Sequence, residues 1–312
     1  MSTVAACKKA PFWIAVDWGT TNFRAFLMHD DSHTPLDVIT EPSGLLAISD
    51  GTYAAGLDRM ISVWTDKFGR LPVLMAGMVG SKNGWQDVGY VSAPCAIEDL
   101  ASKVVRIPSQ DNTVSFIVPG VSAINSFVGH EVMRGEEVQI FGLLMQEQNL
   151  KDGLLILPGT HSKQVEIKNF QLTGFRTFMT GEIFSVMSKH SILGKGLSEA
   201  TESSESFFKG VQYAKNPGSL SNLLFSARTE MLLGNLKSSE VLSYLSGLLI
   251  GSELSGLSPS QKNIWLIGSP ELTEHYRMAL EYLGFTADTA DGDTCVQQGL
   301  RAIYQTMRDN VK

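Results

Sequence analysis

The sequence predicts an α/β protein built from two similar halves, and three observations carry that reading. Short apolar runs alternate with helical periodicities through most of the 312 residues. Each half opens with a strand, a turn of small residues and further strands before its helices begin. The two opening turns, Asp17-Trp-Gly19-Thr20-Thr21-Asn22 and Leu157-Pro-Gly159-Thr160-His161-Ser162, carry Gly-Thr at the same place. One unit used twice suggests duplicated domains with mixed sheets around a central cleft, a favoured place for ligands.

In the first half, residues 13–16, 24–28 and 36–40 read as three short strands joined by turns, an antiparallel start. Residues 54–68 carry Leu57, Met60, Ile61, Trp64 and Phe68 at helical spacing. The apolar runs 72–76 and 114–118, bounded by Gly or Pro, read as buried parallel strands, and 137–148 as a helix. The second half repeats the opening at 154–157, with strands at 164–168 and 173–179. Helices follow at 182–193, 204–213, 220–233 and 240–254, then a strand at 264–267, a helix at 271–283 and a last amphipathic helix at 293–307. The domain boundary falls between residues 1–148 and 149–312, with the last helix a candidate to pack back on the first domain.

Composition narrows the class. An apolar content of 43% with 18% charged residues fits a soluble globular chain, and a net charge of −7 argues against a general nucleic-acid binder. Cys7, Cys95 and Cys295 are too far apart for metal-ligand spacing and suggest reduced thiols. The N-terminal run has its lysines after its first apolar stretch, the wrong order for a signal peptide. No stretch approaches the roughly 20 apolar residues of a membrane span. The expected location is the cytoplasm.

The chemistry concentrates in a few turns. Gly19 permits close backbone approach to a phosphate, and the amides and side chains of Thr20, Thr21 and Asn22 can donate to its oxygens. Asp17 offers one carboxylate to a Mg²⁺ that keeps most of its waters. A plain hairpin explains the same residues about as well. Neither G-x-x-x-x-G-K-[ST] nor G-x-G-x-x-G occurs, so any nucleotide site is built without those loops. Gly159, Thr160, His161, Ser162 and Lys163 form a second candidate phosphate turn. Gly268 and Ser269 end a strand without bulk, which leaves room for adenine or ribose, although a plain strand-to-helix connection reads the same.

Glu136 and Glu137 begin a helix, where the dipole alone favours acids; the functional alternative is a general base. The loop from Gly77 and Met78 through Ser81, Lys82 and Asn83 to Trp85 is dense in glycine and polar groups. It suits a polyhydroxylated acid, with hydrogen bonds for hydroxyls, a cation for a carboxylate and an apolar ring face. Arg24 and Arg176 are further cations for such an acid. The six histidines show no metal spacing.

Six motifs in order resemble the 2-dehydro-3-deoxygalactonokinase family, within the superfamily of sugar kinases, actin and heat-shock ATPases. They are D-W-G-T-T-N-F-R-A at 17–25, G-M-V-G-S at 77–81, R-G-E-E at 134–137, L-P-G-T-H-S-K at 157–163, F-M-T-G-E at 178–182 and L-I-G-S-P at 266–270. The resemblance spans essentially the whole chain. It implies two ribonuclease-H-like domains, each with three antiparallel and two parallel strands, with ATP in the cleft between the two turns and adenine near residues 268–271. The implied reaction is MgATP plus 2-dehydro-3-deoxy-D-galactonate giving the 6-phosphate and ADP, in galactonate breakdown.

One departure from the wider superfamily matters. Where many of its sugar kinases carry an aspartate in the second turn, this chain has Leu157 and no carboxylate. The Glu-Glu pair resembles a segment of the related exopolyphosphatases, which points to Glu137 as base, then Glu136, with His161 as the dissenting candidate. The alternatives are a kinase for the epimeric gluconate-derived acid, a polyphosphate-handling phosphatase and, further off, a sugar-responsive repressor or chaperone-like binder. A homodimer is the default assembly.

Overall fold

The computed structural model describes residues 11–48, 52–108, 114–126 and 128–309; Cys7 and the N-terminal lysines lie outside them. The chain divides into two compact units. Unit 1 comprises Met1–Asp152, Glu166–Phe175 and Gly292–Lys312; unit 2 comprises Gly153–Val165 and Arg176–Asp291.

In unit 1, β1 (Phe12–Trp18) and β2 (Phe23–His29) pair antiparallel, with Asp17 opposite Arg24. Next, β3 (Asp37–Glu41) extends that edge. The helix α1 (Tyr53–Phe68) follows, then β4 (Val73–Ala76), parallel to β1 with Ala76 opposite Asp17. After these come β5 (Tyr90–Ser92), α2 (Ile97–Ser102), β6 (Val105–Ile107), β7 (Ser115–Ile117), β8 (Gly120–Asn125), β9 (Gly129–Met133) and α3 (Glu136–Gln146). The main sheet runs β3-β2-β1-β4-β7-β6, and β5-β8-β9 form a small second sheet. The core explains the register. Ile14, Val16 and Trp18 alternate onto one face of β1, where they meet Leu57, Ile61 and Trp64, the buried stripe of α1.

The second main sheet opens with β10 (Gly153–Leu157), β11 (Ser162–Lys168) and β12 (Gln171–Phe178), of which the stretch Glu166–Phe175 counts with unit 1. Their connections, residues 158–161 and 169–170, are too short for a crossover, so the three strands are antiparallel neighbours. Asn169 and Phe170 both take left-handed φ values, 51° and 62°, as a two-residue type I′ hairpin requires. Four helices follow: α4 (Thr180–His190), α5 (Ser204–Tyr213), α6 (Leu220–Leu232) and α7 (Val241–Leu254). The remaining elements are β13 (Ile264–Gly268), α8 (Pro270–Tyr282) and β14 (Ala287–Asp291). The sheet order is β12-β11-β10-β13-β14, with β13 parallel to both β10 and β14. Each of the two main sheets thus has three antiparallel strands followed by parallel ones, the mixed arrangement expected.

The final helix, α9 (Gly292–Asp309), belongs to unit 1. It docks on α3 through two glycines. A Cβ on Gly142 would lie 1.8 Å from the Cys295 carbonyl oxygen, and one on Gly299 would lie 1.9 Å from that of Val138. Tyr304 of α9 stacks on Trp13 of β1, centroids 4.1 Å apart.

The structure adds elements that the pattern reading does not contain. Of these, β5, α2 and β6 fall between the strands read at 72–76 and 114–118, β8 and β9 follow the latter, and β14 lies in a stretch to which the pattern assigns no element. The helix read at 182–193 runs from Thr180 to His190, so the Thr-Gly-Glu stretch is its first turn.

Candidate functional site

In unit 1 the buried strand β1 delivers Asp17 to its carboxyl-terminal end, beside the end of β4. The turn that follows is closed by the Gly19 amide donating to the Asn22 carbonyl at 2.9 Å. Its side chains at Thr20, Thr21 and Asn22 are exposed. Gly44, which sequence reasoning missed, supports the turn from behind. The amides of Gly44, Leu45 and Leu46 donate to the carbonyls of Thr21, Gly19 and Thr20 at 3.0, 3.1 and 3.2 Å. A Cβ on Gly44 would stand 2.4 Å from the Thr20 carbonyl oxygen, so only glycine fits. The signal for it was Pro-Ser-Gly at 42–44 after a strand.

Arg24 donates to Asp17 at 2.5 Å and also pairs with Asp293 at the start of α9. The cation read as a substrate clamp therefore joins two carboxylates, and Asp293 is a further residue that the sequence did not single out. Gly77 has φ +92°, and a Cβ there would be 3.2 Å from Asp17 Oδ1 and 2.8 Å from the Trp18 carbonyl oxygen. Gly135, with φ +103°, would bring its own Cβ within 3.5 Å of the Gly77 Cα. Asp17, Gly77 and the start of α3 are thus brought together through two glycines.

At that start the two carboxylates separate in character. Glu136 is half-buried and accepts from the Arg134 amide at 3.0 Å. Glu137 is 0% exposed, and both its oxygens accept from the Gly135 amide, at 2.9 and 2.7 Å. Burial, then the neighbouring Glu136 charge, push the Glu137 carboxyl up to about 8, against the pull of the amides and Arg134. In the loop after β4, Lys82 and Asn83 are exposed, Met78 is half-buried and Ser81 is buried. Trp85 stacks with Tyr53, so its ring is partly committed to packing.

In unit 2 a pocket of about 800 Å³ is lined by Gly159 and Thr160 of the second turn and by Thr180, Gly181 and Phe184 of α4. Its other walls include Thr201, Ser203, Phe207, Ser243, Ser246, Glu271, Leu272, His275 and Tyr276. The turn and α4 are in close contact. A Cβ on Gly181 would lie 2.4 Å from the Gly159 carbonyl oxygen, and the Glu182 amide donates to the Thr160 carbonyl at 2.9 Å. The Glu182 amide is engaged in that contact and the Ile183 amide donates to the Met179 carbonyl, so an anion at this helix start would be met by the amides of Thr180 and Gly181.

The remaining residues of that turn lie elsewhere. His161 pairs with Glu182 at 2.5 Å on the surface. Ser162 is fully buried and donates to Glu253, while Lys163 is 4% exposed and donates to the His161 carbonyl at 3.1 Å. Arg176 donates to Gln164 at 2.9 Å. Gly268 and Ser269 lead into α8, with Pro270 as its first residue; the next residues, Glu271 and Leu272, reach the pocket wall. Among the described residues no group of three or more His, Cys, Asp or Glu is arranged to hold a metal ion.

The mixed sheet repeated in the two halves, with a Gly-Thr turn after the first strand of each, defines the fold class as a pair of ribonuclease-H-like α/β domains. The fold of an activator of 2-hydroxyisocaproyl-CoA dehydratase from Clostridium difficile, solved with bound ADPNP, matches with a TM-score of 0.51 at 12% identity, covering 96% of this chain and 97% of that one. Within that class the chain belongs to the 2-keto-3-deoxy-galactonokinase family, whose sequence profile matches residues 17–303. The 2-dehydro-3-deoxygalactonokinase of Escherichia coli (strain K12) is 34% identical over 294 residues, 93% of this chain and 97% of that protein. A crystal structure from Sinorhizobium meliloti, described under the same kinase name, matches with a TM-score of 0.86 at 33% identity, covering 93% of this chain and 97% of that one.

Proposed function

We propose that this chain transfers the γ-phosphate of ATP to the 6-hydroxyl of 2-dehydro-3-deoxy-D-galactonate, a step of D-galactonate catabolism. Family membership makes it an ATP-dependent carbohydrate kinase. The observation that carries the fuller reading is the pocket of unit 2. It pairs an apolar and aromatic wall, including Phe207, Leu272 and Tyr276, with Gly159, Thr160 and the first turn of α4. An adenosine suits the wall and a phosphate suits the amides.

In unit 1, Asp17 and the exposed hydroxyls after it form a donor set that suits Mg²⁺, which typically takes one or two carboxylates and keeps its waters. When bound, that ion neutralises charge on the transferred phosphoryl group. Arg24 fixes the Asp17 carboxylate by donating to it. The base is assigned to the Glu136–Glu137 pair. Glu136 reaches solvent, and the next carboxyl, Glu137, is pushed up to about 8, a property suited to accepting a hydroxyl proton near neutral pH. Lys82, Asn83 and Trp85 are assigned to the sugar acid.

A cytoplasmic setting accords with Cys95 and Cys295 being buried free thiols. No helix among the described residues is long and apolar enough to cross a membrane. A homodimer is the proposed assembly, supported by the commonness of that state.

The test is ADP release by the purified protein with MgATP and each of the two epimeric 2-dehydro-3-deoxy acids, beside a no-acid control. Release with the galactonate-derived acid alone supports the proposal. Release with both acids removes the epimer preference, and release independent of either acid overturns the acceptor.

A further inference from the structure

Glu253 lies near the end of α7, 4% exposed, and has no part in the reaction as read above. Its carboxylate takes three hydroxyl donors from three other elements. Ser162 of β11 donates to Oε1 at 2.8 Å; Thr180, the first residue of α4, and Tyr276 of α8 donate to Oε2 at 2.5 and 2.6 Å. The Gln164 amide donates to the Glu253 backbone carbonyl at 3.3 Å. A hydroxyl has one proton to give, so three hydroxyls aimed at one carboxyl group are satisfied together by the acceptor-only ionised form. Burial opposes that form and pushes the carboxyl up, while the hydroxyls pull it back.

The donors are placed around the phosphate end of the unit 2 pocket. Ser162 is the residue on which the second turn re-enters the sheet. Thr180 begins the helix whose Gly181 packs on the Gly159 carbonyl. Tyr276 lines the pocket wall. One buried carboxylate therefore sets the spacing between the turn, the α4 N-terminus and α8. We propose that Glu253 is a positioning residue for nucleotide binding, clamping Ser162, Thr180 and Tyr276 so that the turn and the α4 amides hold the phosphates. This rests on reading the unit 2 pocket as the ATP site.

Glu253→Gln preserves volume but sets an amide donor against hydroxyl donors, so one hydroxyl has to turn away. Isothermal titration calorimetry with MgATP should show Kd raised roughly tenfold, with KM for ATP following and KM for the sugar acid moving less than about twofold. Tyr276→Phe, which deletes one donor, should raise the same constant less. It should add little on top of Glu253→Gln, because both act through one carboxylate. Unchanged ATP affinity in folded Glu253→Gln, or an equal rise in both KM values, overturns the role. If that variant does not fold, Tyr276→Phe decides alone, and an unchanged Kd overturns it.

Ser246→Trp, which fills the pocket, separates the two readings. If it abolishes ATP binding while Glu253→Gln leaves binding intact, only the positioning role falls. If ATP still binds to Ser246→Trp, the pocket is not the ATP site and the positioning role falls with it.

Discussion

Glu137 in unit 1 and Glu253 in unit 2 are both sealed from water, at 0% and 4% exposure, but they are held in different ways. Glu137 has a backbone amide and a neighbouring carboxylate, so burial and like charge act together and its pKa reaches about 8. Glu253 has three hydroxyl donors and no carboxylate among the causes of its shift. Burial alone therefore does not decide what a buried acid does. A poorly neutralised one is poised to exchange a proton, and a fully satisfied one fixes the parts that donate to it.

Substitutions can break or sharpen this contrast. The largest expected effect is at the end of β1. Asp17→Ala should lower kcat by roughly a thousandfold while leaving the far-UV circular dichroism unchanged; a variant with near-normal turnover would remove Asp17 from the reaction. Next, Glu137→Gln should reduce kcat by about a hundredfold or more, with ATP affinity kept. The rise in wild-type kcat toward pH 8 should vanish in that variant. If it persists, the ionising base is another group, and Glu136→Gln is the next variant to profile.

The third effect is on stability, with its sign set by the raised pKa of Glu137. Between its unfolded value, about 4.5, and about 8, the folded chain holds a proton that the unfolded chain has released. That group's contribution is thus fully present at low pH and declines as pH rises through this window. Thermal melts from about pH 5 to pH 9 should show Glu137→Gln gaining on the wild type as pH increases. A constant difference across the series would mean that Glu137 is ionised in the folded chain. The smallest effect is Tyr276→Phe, expected to cost about 1.5–3 kcal/mol in urea unfolding, the range for a hydrogen bond to a charged group.

Much of the fold was legible in the sequence because its signals are local. The helical stripe Leu57, Ile61, Trp64 and the apolar runs of β1, β4 and β10 state their period directly. What escaped had no such pattern. Tyr90–Ser92 is three residues long, and β14 reads Ala-Asp-Thr-Ala-Asp, with no apolar alternation and alanines as its only apolar members.

The site divides in the same way. Asp17, Gly19 and the Gly159–Thr160 pair announce themselves by ending strands in small polar turns. Gly44 and Gly181 matter because of what backbone they touch, which spacing does not reveal. Ser162 and Lys163 read as turn donors, yet β11 is buried on both faces at its start, Ser162–Val165, so neither side chain points to water. Glu253 sits in an apolar helix, and its partners come from three separate elements.

The docking of α9 on α3 has a consequence for synthesis. Unit 1 contains the strands made first and a helix made after all of unit 2. While the ribosome is still translating beyond residue 291, unit 2 has every residue it needs. Unit 1 meanwhile presents Trp13 without the ring of Tyr304 and the Gly142 groove without its occupant. The first part to emerge is therefore the last to be completed, and its apolar wall stays open longest to chaperones and to neighbouring nascent chains.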